Sequence, residues 1–326
     1  MKITSKSLFV LIIILPAFFL SSCKSAIWKQ KTEAKEAEEP LNGPHAPSSL
    51  EMVLLKGSCF RMGNFIKFMA SDALPVHKVC LDDFYIGKYE VTVGSYRKFV
   101  DETSYVTEVE IEGKGMVLNA TGDNWEEREG ISWRNPGFEQ NENHPVVMVS
   151  WNDAMAYIKW LNEKSGLKYR LPTEAEWEFA AREGGKFIEY AWGNEQPDGN
   201  VAGDEYKNHF PNRSWPVWKG YDDSFVFTAP VGSFKSNMFD LYDMSGNVWE
   251  WCADWYNLEY YASSPVDNPK GPVKGTHRVF RGGSWYSKPS SLRTGLRDAG
   301  APSEKDFYIG FRLSRSPEEE AANAKQ

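Results

Sequence analysis

Hydrophobic and polar positions alternate in distinct regimes along the chain. An apolar run from Leu8 to Leu20 follows Lys2 and Lys6, and a polar, charge-mixed stretch then extends to about residue 49. Glu51–Met62 and Val76–Ile86 are short apolar-rich runs bounded by Gly, Asn and Pro, the pattern of strands. Thr92 is placed to cap a helix that runs through Val100, with Tyr96, Phe99 and Val100 on one face. Residues 103–145 show no sustained period and read as an irregular excursion. Ser150 or Asn152 caps a second helix carrying Ala154, Ala156, Tyr157, Trp160 and Leu161, and Gly166 stops it. Thr173 and Glu176 form a capping box that opens a third helix, ending at Gly184. Residues 185–237 are loop-like, and short strands follow near Arg278–Arg281 and Gly310–Leu313. Few helices, many short strands and long loops predict one irregular α+β domain.

The N-terminal run is too short for comfortable membrane spanning, which takes about 20 residues, but suits the apolar region of an export signal. It ends in Leu20-Ser21-Ser22-Cys23, which resembles a bacterial lipoprotein cleavage site, with residues 1–22 as the signal and Cys23 as the acylated N-terminus. An ordinary signal peptide with an incidental Cys and a plain membrane anchor are the alternatives. Residues 23–49 then form a tether, the domain covers 50–316, and 317–326 are a disordered tail. This predicts a cell-envelope protein joined to the membrane by a lipid. Lys24 after Cys23 points to the outer membrane, facing the periplasm, if the source is a double-membrane bacterium.

The 326 residues carry a net charge of -8, which argues against a nucleic-acid partner, since phosphate neutralisation needs a basic face. Thirteen Trp among 26 Gly and 18 Pro suit a loop-rich body pinned by large aromatics. Four Cys are too few for a disulfide scaffold of this size.

Several motifs occur in order. They are Phe60-Arg61-Met62-Gly63, Tyr89-Glu90-Val91-Thr92, Pro145–Trp151, Arg170-Leu171-Pro172-Thr173-Glu174-Ala175-Glu176-Trp177-Glu178 and Ala191-Trp192-Gly193. Leu241-Tyr242-Asp243-Met244-Ser245-Gly246-Asn247-Val248-Trp249-Glu250-Trp251, Arg281-Gly282-Gly283-Ser284-Trp285 and Gly310-Phe311-Arg312 follow. Together they resemble the formylglycine-generating enzyme (sulfatase-modifying factor) family, from about Leu50 to Ser316. The resemblance implies an α+β, C-type-lectin-like fold poor in regular secondary structure.

It also implies a chemistry that this sequence lacks the groups for. Family members that oxidise a substrate Cys to formylglycine use two cysteines shortly after Gly-Gly-Ser to bind copper. Here that stretch, Trp285 to Arg293, holds no Cys, and Ser287 is the nearest counterpart of the first. A hydroxyl is a poor Cu(I) ligand. No copper is therefore expected, and the favoured function is a non-catalytic binding or scaffold module for an exported protein, peptide or glycan. The alternative is an oxidoreductase-type maturation enzyme with a different metal centre, although the five His are scattered. The resemblance further implies structural calcium in two loops. One uses the Asn200 and Asp223 side chains with the Val201 and Phe225 carbonyls. The other uses Asp243 and Glu250 with the carbonyls of Met244, Gly246 and Val248. Calcium takes several such oxygens.

Cys59 and Cys80 lie on the two N-terminal strand runs and are either a disulfide or two buried thiols. Cys252 is a packed core Cys or a reactive thiol. Trp151, Trp177, Trp249 and Trp251 read as core. Trp125, Trp133, Trp215, Trp218 and Trp285 are candidates to line a groove, with Arg281, Arg293 and Arg297 able to hold an anionic ligand or to pair with surface acids.

Overall fold

The computed structural model describes residues 50–65, 71–122 and 124–317. The expected signal, Cys23, the tether and the tail beyond Pro317 lie outside the described residues. Both predicted N-terminal strand runs fold as pairs of strands. The first gives β1 (Met52–Leu55) and β2 (Cys59–Met62), the second β3 (His77–Cys80) and β4 (Phe84–Gly87). Polar or small residues at Lys56–Ser58 and at Asp82–Asp83 break each run.

Helix α1 (Val93–Thr103) starts where Thr92 accepts from the Ser95 amide, and buries Tyr96, Phe99 and Val100. The expected irregular excursion holds a short helix α2 (Glu108–Glu112) and a hairpin, β5 (Lys114–Leu118) with β6 (Trp125–Glu129). Of the two candidate caps, Ser150 opens α3 (Trp151–Ser165), in a capping box with Asp153, and Gly166 ends it. Thr173 and Glu176 form the expected box at α4 (Glu174–Ala181), which stops three residues early. There Arg182 turns its guanidinium back onto the carbonyls of Arg61, Gly185 and Lys186. Helix α5 (Asp204–His209) interrupts the expected loop region. The C-terminal strands are β7 (Trp249–Trp255), β8 (Arg278–Arg281), β9 (Asp298–Gly300), β10 (Ile309–Gly310) and β11 (Ser314–Arg315). The strand expected at 310–313 is thus two short strands flanking residues 311–313.

Four small sheets result. They are β1-β4-β11, β10-β7-β8-β9 and the two hairpins β2-β3 and β5-β6; of these strand pairings only β10–β7 is parallel. Cys59 and Cys80 face each other across the β2–β3 register and are joined as a disulfide. Cys252, on β7, is fully buried, and burial pushes its thiol well above the usual range, which favours the packed core alternative.

Three aromatic-rich clusters form the core. Helix α4 packs Trp177 and Phe179 onto β2, β3 and β4. Helices α1 and α3 pack Tyr96, Phe99, Tyr157 and Leu161 against Trp251, Phe280 and Phe311. Beneath the β5–β6 hairpin, Val117, Ile131, Tyr206, Phe210 and Phe307 surround Trp285. Trp133, expected to be free to line a groove, belongs to the second cluster and is 1% exposed. Trp218 packs edge-to-face instead in a separate group with Tyr190 and Trp192.

Candidate functional site: an aromatic groove and two oxygen-lined loops

The chain leaves β8 through Gly282-Gly283. Gly283 has φ +73°, and a Cβ there would lie 2.8 Å from both the Ser291 carbonyl and the Leu292 side chain, so only Gly fits. This turn sets Trp285, Tyr286 and Ser287. The Ser287 hydroxyl accepts from the Ser284 amide at 3.0 Å and meets the Ser284 hydroxyl at 3.2 Å. Ser287 is thereby held in place at the wall of a groove of about 300 Å³.

Aromatic rings make most of that wall. Tyr286 stacks on Tyr308 with centroids 5.6 Å apart and planes at 7°, and Trp215 stacks on Tyr286 at 5.5 Å. Trp125 meets the Tyr286 edge at 5.7 Å, and Trp249, assigned to the core by its motif, also lines the groove. Lys288, Arg213 and Asp298 are the charged residues of the lining. Of the anticipated groove Trp residues, Trp125 and Trp215 are present. Trp285 is 1% exposed and lines an adjoining aromatic cavity of about 240 Å³ with Phe138, Phe210 and Phe227.

The expected arginines are elsewhere. Arg293 pairs with Glu189. Arg281 and Arg297 are buried and share Glu174, with N–O distances of 2.6 and 2.7 Å. Their guanidiniums serve a buried ion network, not the groove. Sequence reasoning missed Arg213, Asp298 and Tyr308. Behind Tyr308, burial pushes Asp306 up to about 7, and Tyr308 shares a hydrogen bond with it.

The two loops expected to hold calcium are braced on each other. The Asn247 amide donates to the Asn200 carbonyl at 2.8 Å. Gly246, at φ +102°, passes so close to Asn200 that a Cβ would lie 2.3 Å from its carbonyl oxygen. In the first loop Asp223 accepts from the Val201 and Phe225 amides, both at 2.9 Å. Burial, with Glu205 nearby adding in the same direction, raises its carboxyl to about 7. Asn200 Oδ1 and Glu205 Oε2 are buried with no donor. Such orphaned oxygens fit a hard cation.

In the second loop Asp243 accepts from the Gly232 amide at 2.8 Å, and its other oxygen has no donor. Its carboxyl, raised to about 6 mainly by burial, lies beside Glu90, whose Oε2 is likewise buried and undonated. Glu90 belongs to the Tyr89–Thr92 motif and lies outside the ligand set that the resemblance implies. Glu250 has a different partner. Both its oxygens meet Arg312 at 2.6 Å, and one also accepts from the Trp177 indole at 2.7 Å. In the second loop Asp243 thus keeps an undonated oxygen, while the Glu250 carboxylate is committed to Arg312. Among the described residues no group of three His, Cys, Asp or Glu side chains converges as a metal site.

Comparison with known proteins completes the picture. The chain is 35% identical over 315 residues to the formylglycine-generating enzyme of Streptomyces coelicolor, covering 89% of this chain and 97% of that one. It is 31% identical to the solved structure of PvdO from Pseudomonas aeruginosa, with a TM-score of 0.64 over 81% of this chain and 94% of that one. It also matches serine/threonine-protein kinase pkn1 of Chlamydia pneumoniae at 32% identity, over 86% of this chain but only 40% of the kinase. The model of the sulfatase-modifying factor enzyme 1-like domain matches residues 38–317. With the irregular α+β architecture and the ordered motifs, these matches show that the chain belongs to the sulfatase-modifying factor enzyme 1-like, or formylglycine-generating-enzyme-like, domain family.

Proposed function

We propose that this chain is a lipid-anchored cell-envelope protein whose domain binds an exported peptide, protein or glycan in the groove beside Ser287, without thiol–copper oxidase chemistry. The observation that carries this reading is the pairing of a built aromatic groove with a hydroxyl at the family's first cysteine position. Ser287 is tied to Ser284, and the single thiol outside the disulfide among the described residues, Cys252, is sealed in the core. Stacking on flat aromatic faces suits sugar rings and the side chains of peptides.

The deciding experiment supplies copper to the purified mature protein and offers Cys-containing peptides in an oxygen electrode. The expected result is no oxygen uptake and no change in peptide mass. Oxygen uptake that disappears in Ser287→Ala would overturn the reading in favour of an oxidoreductase-type maturation enzyme. The anchor is tested by metabolic labelling with a palmitate analogue, which should tag the wild type and not Cys23→Ala.

Calcium belongs to the same proposal, as a brace of the two loops. Asn200 and Asp223, with the carbonyls of Val201 and Phe225, would hold one ion. Asp243, with the carbonyls of Met244, Gly246 and Val248, would hold the other. Binding to the folded state alone contributes about 2.7 kcal/mol when calcium stands at 100 times Kd. EGTA should therefore lower the melting temperature by about 5–10 °C for a domain of this size. Asp223→Asn together with Asp243→Asn should remove most of that shift. An unchanged melting curve in chelator would exclude both ions.

A further inference from the structure

Arg213 carries a charge that no side chain around it balances. It is 8% exposed and lies against Trp215 and Tyr286, with ring centroids 4.8 and 4.7 Å from its guanidinium carbon. Its two terminal nitrogens donate to the Gly122 carbonyl and the Tyr286 hydroxyl, both neutral. Its Nε is buried with no acceptor. Among the described residues no carboxylate forms an ion pair with it, whereas the more deeply buried Arg182, Arg281, Arg297 and Arg312 each hold a glutamate. A desolvated cation without a counter-ion is strongly unfavourable, and a fold keeps one where something else supplies the anion.

The surroundings point the same way. Three further donors of this aromatic cluster, Trp215 Nε1, Trp285 Nε1 and the Tyr206 hydroxyl, are also buried without acceptors. Of these unmet groups, Arg213 and Trp215 belong to the groove lining and both are donors, so an acceptor-rich ligand group suits this wall. On a chain of net charge -8, the groove lining carries Arg213 and Lys288 against Asp298 alone.

Building on the binding reading above, we infer that the groove receives an anionic group, a carboxylate, borne on an aromatic or apolar body. The acid lies against Arg213, with exposed Lys288 adding attraction, and the body stacks on Tyr286, Tyr308 and Trp215. A guanidinium fixed beside the stacked Trp215–Tyr286 pair is a pre-arranged donor for a carboxylate.

Calorimetric titration of the mature protein with N-acetyl-L-tyrosine, its uncharged amide and phenyl phosphate tests this. The acid should bind about tenfold tighter than the amide, the margin of one charge-assisted hydrogen bond. That preference should vanish in Arg213→Met, and in Arg213→Gln, which retains a donor for Gly122, should the Met variant fail to fold. Equal binding of acid and amide by the wild type would overturn the anion assignment while leaving the groove a binding site. A preference that survives either substitution would overturn the role of Arg213. Phenyl phosphate binding more tightly than the acid would replace carboxylate by phosphate. Failure of all three probes to bind would overturn both this inference and the choice of groove.

Discussion

Glu174→Gln is expected to destabilise the domain by about 3–5 kcal/mol, the usual cost of removing one member of a buried ion network. Glu174, at the first turn of α4, is 2% exposed. It accepts from Arg281 at 2.6 Å and from two nitrogens of Arg297 at 2.7 and 2.8 Å, with the Tyr261 hydroxyl at 3.2 Å. Without its charge Arg281 retains Glu178, but Arg297 is left with the carbonyls of Asp72 and Asn257. Burial alone would raise the Glu174 carboxyl, yet Arg297 and Arg281 outweigh it and hold the group below its ordinary value. Its stabilisation is thus complete above the unfolded carboxylate range and fades as pH falls through the lower folded value. Urea denaturation at neutral pH measures the loss, and a change under about 1 kcal/mol would mean that the network contributes no more than an exposed ion pair does.

A second large effect has the opposite pH sign. Asp254 is fully buried on β7, and burial first, then the nearby Glu174 charge, pushes its carboxyl up to about 8. Folding therefore takes up a proton. That contribution is complete below the unfolded carboxyl value of 3.8 and is lost as pH rises through about 8. One such proton alters stability by about 1.4 kcal/mol per pH unit within the window. Asp306, raised by burial to about 7, acts in the same direction. Wild-type stability should fall between pH 5 and pH 8, and Asp254→Asn should flatten much of the fall. The Asn can still accept from the Glu174 amide, as Asp254 does at 2.9 Å. Denaturation midpoints at the two pH values decide it, and an identical pH dependence in both proteins would refute the assignment.

Local signals were legible in the sequence where the physics is local. Thr92, Ser150 and Thr173 mark helix starts because a cap needs only its own side chain and an amide two or three residues on. Strand β6 was not legible, since Trp-Glu-Glu-Arg-Glu is exposed on nearly every side and has no alternation to read. Strand β7 failed for the opposite reason: its near-continuous burial leaves no period, and its first residues sit in a motif associated with a metal loop. Helix α5 has six residues, too few for a face to repeat. At the site, Ser287 was legible from its place after Gly-Gly-Ser. Arg213 carries no local mark, because what makes it unusual is Tyr286, 73 residues away. The same applies to Arg281 and Arg297, whose partner Glu174 lies more than a hundred residues earlier and takes them out of the groove.

The sheet β1-β4-β11 has a consequence for how such a body travels between proteins. The first and last strands of the domain flank the same central strand, two strand spacings or about 10 Å apart. Both run antiparallel to β4 and so parallel to each other. With Met52 opposite Gly87 and Arg315 opposite Tyr85, the two borders lie about 12 Å apart, a span of about four extended residues. Fusion at either border, or insertion into a surface turn of another protein, would leave the groove and the paired loops untouched. A unit with adjoining entry and exit is transplantable, which accords with this chain matching two-fifths of a larger kinase polypeptide.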